Sequence, residues 1–310
     1  MADYKTLHGS NIEVVSSDPS NPISGQVWYN TTTNVMKGFT SNPAGSWASG
    51  GNMNSARREL GGNGTQTSSL AYGGYDGSPR GYTESYNGST WTEVGDLNTG
   101  RMVGASTGAS STSALYSGGN SGGGGIAIVE SWNGTSWTET TNINTGRDSA
   151  AGSGTATATL MFAGYTTEVL AVAESWNGTS WTEVADLNTA RSYLGGTGTN
   201  NTASLAFGGI SPPTVGVAES WNGTAWTEVG DLNTARRDLT GLGDSNTSAL
   251  ALGGYTSTIL GVNEHWNGSS WSEITDLSTT RRWPAGAGTV ASGIVFGGDA
   301  PPYTVATEEF

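Results

Sequence analysis

The chain contains no cysteine, only 12 lysines and arginines together, and no long apolar run. Without cysteine there are no disulfides and no thiolate metal sites. The 12 basic residues stand against 26 acidic ones, a formal net charge of −14. A nucleic-acid duplex or a phosphate-rich membrane face would repel such a protein, so nucleic acid is not expected among its partners. No segment approaches the roughly 18 consecutive apolar residues of a membrane span, so no membrane insertion is expected. The opening Met1-Ala2-Asp3-Tyr4-Lys5-Thr6-Leu7-His8 has no apolar core, and no secretory signal is expected. The two histidines, His8 and His265, fall in unrelated segments, so no metal site and no cofactor are expected.

What is abundant is glycine, 49 residues of it, with many Ser, Thr and Asn. That composition alone would suit disorder, but 12 Trp and 11 Tyr oppose it, because aromatic burial drives folding. Gly-rich turns between short aromatic and aliphatic runs read as an all-β chain.

Aligned with itself, the chain repeats every 44 to 46 residues. The clearest block is Glu-Ser-aromatic-Asn-Gly followed by Trp and Thr-Glu, as in Glu84-Ser85-Tyr86-Asn87-Gly88 with Trp91 and Glu130-Ser131-Trp132-Asn133-Gly134 with Trp137. It returns at Glu174–Trp181, Glu219–Trp226 and Glu264–Trp271. Each block runs into Asp-Leu-Asn-Thr-Ala/Gly-Arg or a variant, ending at Arg101, Arg147, Arg191, Arg236 and Arg281, with Arg57 as a sixth member.

Four strands can be read in one repeat. After each Arg, small residues stand five and seven positions on, as in Gly62/Gly64 and Gly196/Gly198. Strand glycines mark close approach of another backbone, as where inner strands crowd an axis. An apolar run closed by glycine follows, such as Leu205-Ala206-Phe207-Gly208-Gly209. The third strand holds Glu-Ser-Trp and the fourth starts at Trp-Thr-Glu-Val, with Asn-Gly between them expected to supply the positive φ of a tight hairpin. This is one four-stranded propeller blade.

Six fourth strands are expected to start at Trp47, Trp91, Trp137, Trp181, Trp226 and Trp271. The chain ends on Val305-Ala306-Thr307-Glu308-Glu309-Phe310, a third strand with no fourth, whereas Ser46-Trp47-Ala48-Ser49-Gly50 is a fourth strand with no blade before it. The two are expected to pair, closing a six-bladed β-propeller over residues 46–310 and removing its open edge.

The Gly-Gly, Glu-Ser-Trp…Trp and Leu-Asn-Thr-Ala-Arg pattern resembles the kelch repeat, and the wording Trp-Asn-Gly-Thr-Ser-Trp-Thr-Glu-Val is similar to propellers encoded by marine bacteriophages. Residues 1–45 lie outside the repeat. Alternating apolar residues in Val27-Trp28-Tyr29-Asn30 and Asn34-Val35-Met36-Lys37-Gly38-Phe39 suggest a small β-hairpin unit, too small to stand alone. Asp18-Pro19-Ser20-Asn21-Pro22, with Gly25-Gln26-Val27-Trp28-Tyr29-Asn30 after it, resembles the start of phage tail and fibre proteins. That resemblance implies a docking segment, centred on Val27, Trp28 and Tyr29, that binds other virion proteins. A cap packed on its own propeller is the alternative.

The six arginines should ring one mouth of the channel, where they could bind an anionic sugar or carboxylate, or else pair with Glu84, Glu130, Glu174, Glu219, Glu264 and Glu308 or with Asp96, Asp186, Asp231 and Asp276. Unpartnered guanidiniums crowded at one axis repel, which favours pairing. The repeat aromatics could be sugar platforms, but recurrence in every blade favours blade-to-blade packing. The Asn-Gly-Ser/Thr triplets read as turns. The Ser-Tyr-Asn-Gly-Ser-Thr-Trp hairpin looks like the Asp-box of sialidases, with Asn for Asp and one residue fewer. A catalytic pair should be singular, whereas the prominent acids recur, so no enzyme is expected. Lacking cysteine, the chain also has no Tyr–Cys link for copper-radical oxidation.

Function is expected where repeats differ: the loops 75–82, 120–127, 165–171, 210–216, 255–261 and 299–304. Their candidates for ligand contact are Tyr75, Asp76, Arg80, Tyr82, Tyr165, Ile210, Pro212, Tyr255, Asp299 and Tyr303. The expectation is a virion structural protein of a tail fibre, spike or appendage, made in the host cytoplasm, whose propeller meets a host surface glycan or protein. Such proteins are often symmetric oligomers, so a symmetric assembly is expected, although no heptad segment marks one. A non-viral extracellular carbohydrate- or protein-binding module and a glycan-cleaving propeller are the alternatives.

Overall fold

The computed structural model describes residues 13–17, 27–32, 34–38 and 45–310, and the chain divides into two units, 1–44 and 45–310. Among the described residues every regular element is a strand. In the first unit Glu13–Val15 pairs parallel with Val27–Asn30, which pairs antiparallel with Val35–Gly38. The expected hairpin is therefore present, with a third strand added. His8, Phe39 and the Asp18–Pro22 segment lie outside the described residues.

The second unit is a six-bladed β-propeller, each blade a four-stranded antiparallel sheet. The first blade is Gly61–Thr65, Ser68–Tyr72, Thr83–Tyr86 and Trp91–Glu93, and its pattern recurs from the second blade, which opens with Ala105–Ser110, to the fifth, which opens with Thr240–Ser245. The sixth blade takes Ala285–Thr289, Ser292–Phe296 and Thr307–Glu309 from the end of the chain and Ala48–Ser49 from its start, in the register Glu308↔Ser49 and Glu309↔Ala48. Trp47 stands just before that strand rather than in it, packed on Phe310 with ring centroids 5.0 Å apart.

Inner strands touch in a closed circuit, and the small residues make this possible. A Cβ on Gly62 would lie 2.6 Å from Phe296 and 3.0 Å from the Cβ of Ala285 in the sixth blade. Farther out, the fourth-strand tryptophans lock neighbouring blades. Trp91 meets Phe296, Trp137 meets Tyr72, Trp226 meets Phe162 and Trp271 meets Phe207, with centroids 4.8 to 5.0 Å apart. These four tryptophans are 5–6 % exposed, so they are packing residues and offer no face to a sugar.

The Asn-Gly hairpins differ from the expected tight form. Four residues separate the pair Tyr86↔Trp91, and of Asn87 and Gly88 only the glycine has positive φ, at 89°. Asn87 instead accepts amide hydrogen bonds from Ser89 at 3.0 Å and Thr90 at 2.9 Å through Oδ1. A short amide side chain can hold such a turn without entering left-handed space itself.

Each repeat arginine is fully buried and ion-paired to the glutamate of its own blade's third strand: Arg57–Glu84, Arg101–Glu130, Arg147–Glu174, Arg191–Glu219, Arg236–Glu264 and Arg281–Glu308. The same carboxylate accepts from the turn leading into that blade, as where Asn98 donates its backbone and side-chain amides to Glu130, both at 2.7 Å. The turn aspartates serve the backbone, Asp96 accepting from the amide of Thr83 at 3.0 Å. Burial lowers the pKa of Arg147, Arg191, Arg236 and Arg281, and their glutamates oppose it.

Two stability predictions follow from this geometry. Deleting residues 305–310 removes the closing strand and strands Arg281 without Glu308; the thermal midpoint should fall by about 10 °C, and an unchanged melting curve would refute closure. Glu130→Ala, which leaves Arg101 buried and unpaired, should cost about 3–5 kcal/mol in denaturant unfolding.

Candidate functional site

The loops and the turns that precede each arginine share one face. Leu97 donates its amide to Gly81 at 2.9 Å, and Arg101 donates its amide to Arg80 at 3.0 Å. The loops hug this face as short hairpin tips, held by single bridges such as Tyr75↔Pro79 and Asp299↔Tyr303. In the fifth blade the loop expected over 255–261 is narrower, because Ser248–Tyr255 and Ile259–Trp266 continue the ladder to the pair Tyr255↔Ile259.

The expected ring of arginines at the channel mouth is not what lines it. Their buried pairing withdraws them from the axis, and the mouth is built two residues later by Glu59, Val103, Ser149, Tyr193, Asp238 and Trp283. All six are left-handed, with φ between 49° and 60°. Their backbones form a closed hydrogen-bonded ring: Glu59 N–H donates to Trp283 O, Trp283 to Asp238, Asp238 to Tyr193, Tyr193 to Ser149, Ser149 to Val103 and Val103 to Glu59, at 2.7 to 3.1 Å. Left-handed backbone costs a non-glycine residue about 1 kcal/mol. Sequence reading passed over this position because no single residue type repeats there.

Within the ring lies a cavity of about 160 Å³, floored by small inner-strand residues such as Gly152 and Gly196. A second space of about 100 Å³, farther along the inner strands, shares those glycines and has no charged side chain in its wall.

Beside the mouth, guanidiniums and aromatics interleave. Arg58 lies over Trp283 at 4.5 Å, Tyr303 at 5.2 Å and Tyr75 at 5.3 Å, while Arg282 lies over Trp283 at 4.1 Å and Tyr255 at 4.9 Å. Asp299 joins them, 2.9 Å from Arg282 and 3.5 Å from Arg58. Of the residues expected from sequence, Tyr75, Tyr255, Asp299 and Tyr303 thus come together. Asp76, Arg80 and Tyr82 form their own cluster, with Arg80 2.6 Å from Asp76 and 5.4 Å from the Tyr82 ring centre. Tyr165, 39 % exposed, bridges Asp148 and Val169, whereas Ile210 bridges Ser192 and Thr214 near Pro212. Arg58, Arg237 and Arg282 were legible as the second members of Arg57-Arg58, Arg236-Arg237 and Arg281-Arg282, a doubling absent from the other repeats.

Burial pushes Glu59 up to about 7, against the opposing field of Arg58 and Arg282 and with reinforcement from Asp238 and Asp148. It pushes Asp238 up to about 6, opposed by Arg237, Arg282, Trp283 and Arg58. Arg58 is 3.5 Å from Glu59 and Arg237 is 3.7 Å from Asp238, longer than the ion pairs of the repeat arginines.

Carboxylates raised by burial stabilise the fold below their ordinary pKa of 4.5 and 3.8 and lose that contribution as pH rises through about 7 and 6. The double variant Glu59→Gln/Asp238→Asn should therefore gain thermal stability relative to the parent as pH is raised from about 4 to 8. Parallel pH profiles of the two proteins would contradict the shifts.

The chain matches no protein-family model and no curated protein, and its fold and the chemistry of its loop face are what characterise it.

Proposed function

We propose that this protein is a binding module of a phage virion, part of a tail fibre, spike or tail-attached appendage. In this reading residues 1–45, with Val27, Trp28 and Tyr29, dock on other virion proteins, and the propeller turns its loop face toward a host surface glycan or protein. The kelch-like repeat, its phage-like wording and the tail-like Asp18–Asn30 segment support the reading. The observation that carries it is the distribution of difference. Repeated residues are consumed in pairing and packing, while residues that differ between blades gather on one face, with Arg58, Arg237 and Arg282 all on the side of the fifth, sixth and first blades. A rigid scaffold that carries a varied face is suited to recognition.

A glycan-cleaving propeller is the second reading, favoured by Glu59 and Asp238: both are raised toward neutrality, and neither recurs at its ring position. The test is adsorption. Labelled full-length protein should coat host cells and compete with phage particles, and Tyr75→Ala/Tyr303→Ala should weaken that competition by about tenfold or more. Purified virions found by mass spectrometry to lack the chain would end the virion assignment.

A further inference from the structure

We propose that the axial mouth is a binding site for one neutral, hydroxyl-rich ligand of the size of a single sugar residue, held by Glu59 and Asp238 and walled by Tyr193 and Trp283. The inference rests on reading this face as a recognition surface, and it names the position and the ligand class.

The ring makes the argument. Its six backbones are equivalent, its six side chains are all different, and all take left-handed backbone. Glycine, which this chain uses at many positive-φ positions, occupies none of the six. The side chains are thus kept against the local preference of the backbone, and they line a cavity. At about 160 Å³ that cavity holds one sugar ring and not a chain, a space on the order of five waters.

The lining chooses the ligand. Glu59 and Asp238 present carboxylate oxygens whose guanidinium neighbours stand 3.5 and 3.7 Å away, so both retain capacity to accept hydrogen bonds from hydroxyls. Ser149 donates to Asp148 at 2.8 Å and stays an acceptor. Tyr193 and Trp283, centroids 6.5 Å apart and inclined at 54°, give an angled aromatic wall, and Trp283 is pinned by the guanidiniums of Arg58 and Arg282. An anion would meet Glu59 and Asp238, and a cation would meet Arg58, Arg237 and Arg282 close behind them. A neutral polyol meets neither penalty and is matched by the acceptors present.

Donors from the ligand favour the ionised carboxylates, so binding should release protons and weaken in acid. The titratable and charged groups around this pair are Arg58, Arg237, Arg282, Asp148, Tyr116 and Tyr193, and the carboxylates raised by burial are the two that change charge near neutrality.

The experiment is saturation-transfer NMR and calorimetry on the full-length protein at about pH 8, with a panel of neutral methyl hexosides and N-acetylhexosaminides, and with sialic acid and a simple alkylamine as charged probes. At least one neutral glycoside should bind and weaken several-fold by about pH 5. Asp238→Asn should cost about tenfold or more and flatten the pH dependence, while Thr135→Ala, exposed on the outer hairpin between Trp132 and Trp137, should leave binding unchanged. Ser149→Ala, a small change, provides a second loss if Asp238→Asn fails to fold. Binding of none of the neutral glycosides, binding of the charged probes alone, or affinity indifferent to Asp238→Asn and Ser149→Ala would overturn the site. Release of reducing sugar would convert it to the hydrolytic reading. Cell adsorption that survives Glu59→Gln/Asp238→Asn would overturn the mouth as the contact point and leave the recognition face intact, whereas glycoside binding without adsorption would do the reverse.

Discussion

A single carboxylate in each blade holds this propeller together. The third-strand glutamate pairs with a fully buried arginine and at the same time accepts amides from the turn that arrives from the preceding blade. The connection between blades is thereby fixed to the blade it enters. Burying a guanidinium and a carboxylate is costly unless both are bonded, and Arg101 shows how this is met, donating also to Thr99 O, Tyr116 O and Gly118 O, whereas Arg191 leaves its Nε without a partner. The sixth blade obeys the same rule with Glu308, two residues before Phe310, so closure is both a strand pairing and an ion pair.

This economy leaves the repeated polar residues occupied. Ion pairs take the arginines, neighbouring blades take the tryptophans, and turns take the asparagines. What remains for chemistry is the position where the blades have a common backbone and no common side chain. The six left-handed residues at the mouth are held by a ring of hydrogen bonds that no single blade could form. The strain at each is sustained because the closed circuit fixes every neighbour at once. Around that ring the charges are balanced locally, each mouth arginine standing beside an acid, and the aromatic–guanidinium stack lies to one side. A symmetric frame thus carries an asymmetric face.

Much of this was legible in the residues. Period, blade count and closing strand followed from the spacing of Arg57 to Arg281 and from the orphan Ser46–Gly50, because a repeat that cannot bury its own face must stack. That those arginines are paired followed from charge, whereas the choice of the third-strand glutamates over Asp96, Asp186, Asp231 and Asp276 was made by packing, which turns Asp96 to the backbone amide of Thr83. Of the loop candidates, Tyr75, Tyr255, Asp299 and Tyr303 converged, while Tyr165, Ile210 and Pro212 stand apart from them. Glu59, Asp238 and Trp283 escaped notice because a repeat search rewards identity, and theirs is the place where identity fails.

The periodic Trp, Gly, Glu and Arg residues already dictate the propeller, since they admit few other ways to bury aromatics and pair charges. The mouth comes into being with the closed ring. Residues separated by one or more whole repeats, such as Glu59 and Trp283 or Tyr193 and Asp238, become neighbours when the circuit closes around the axis. Their burial, and with it the raised affinity of Glu59 and Asp238 for protons, exists only after all six blades are in place.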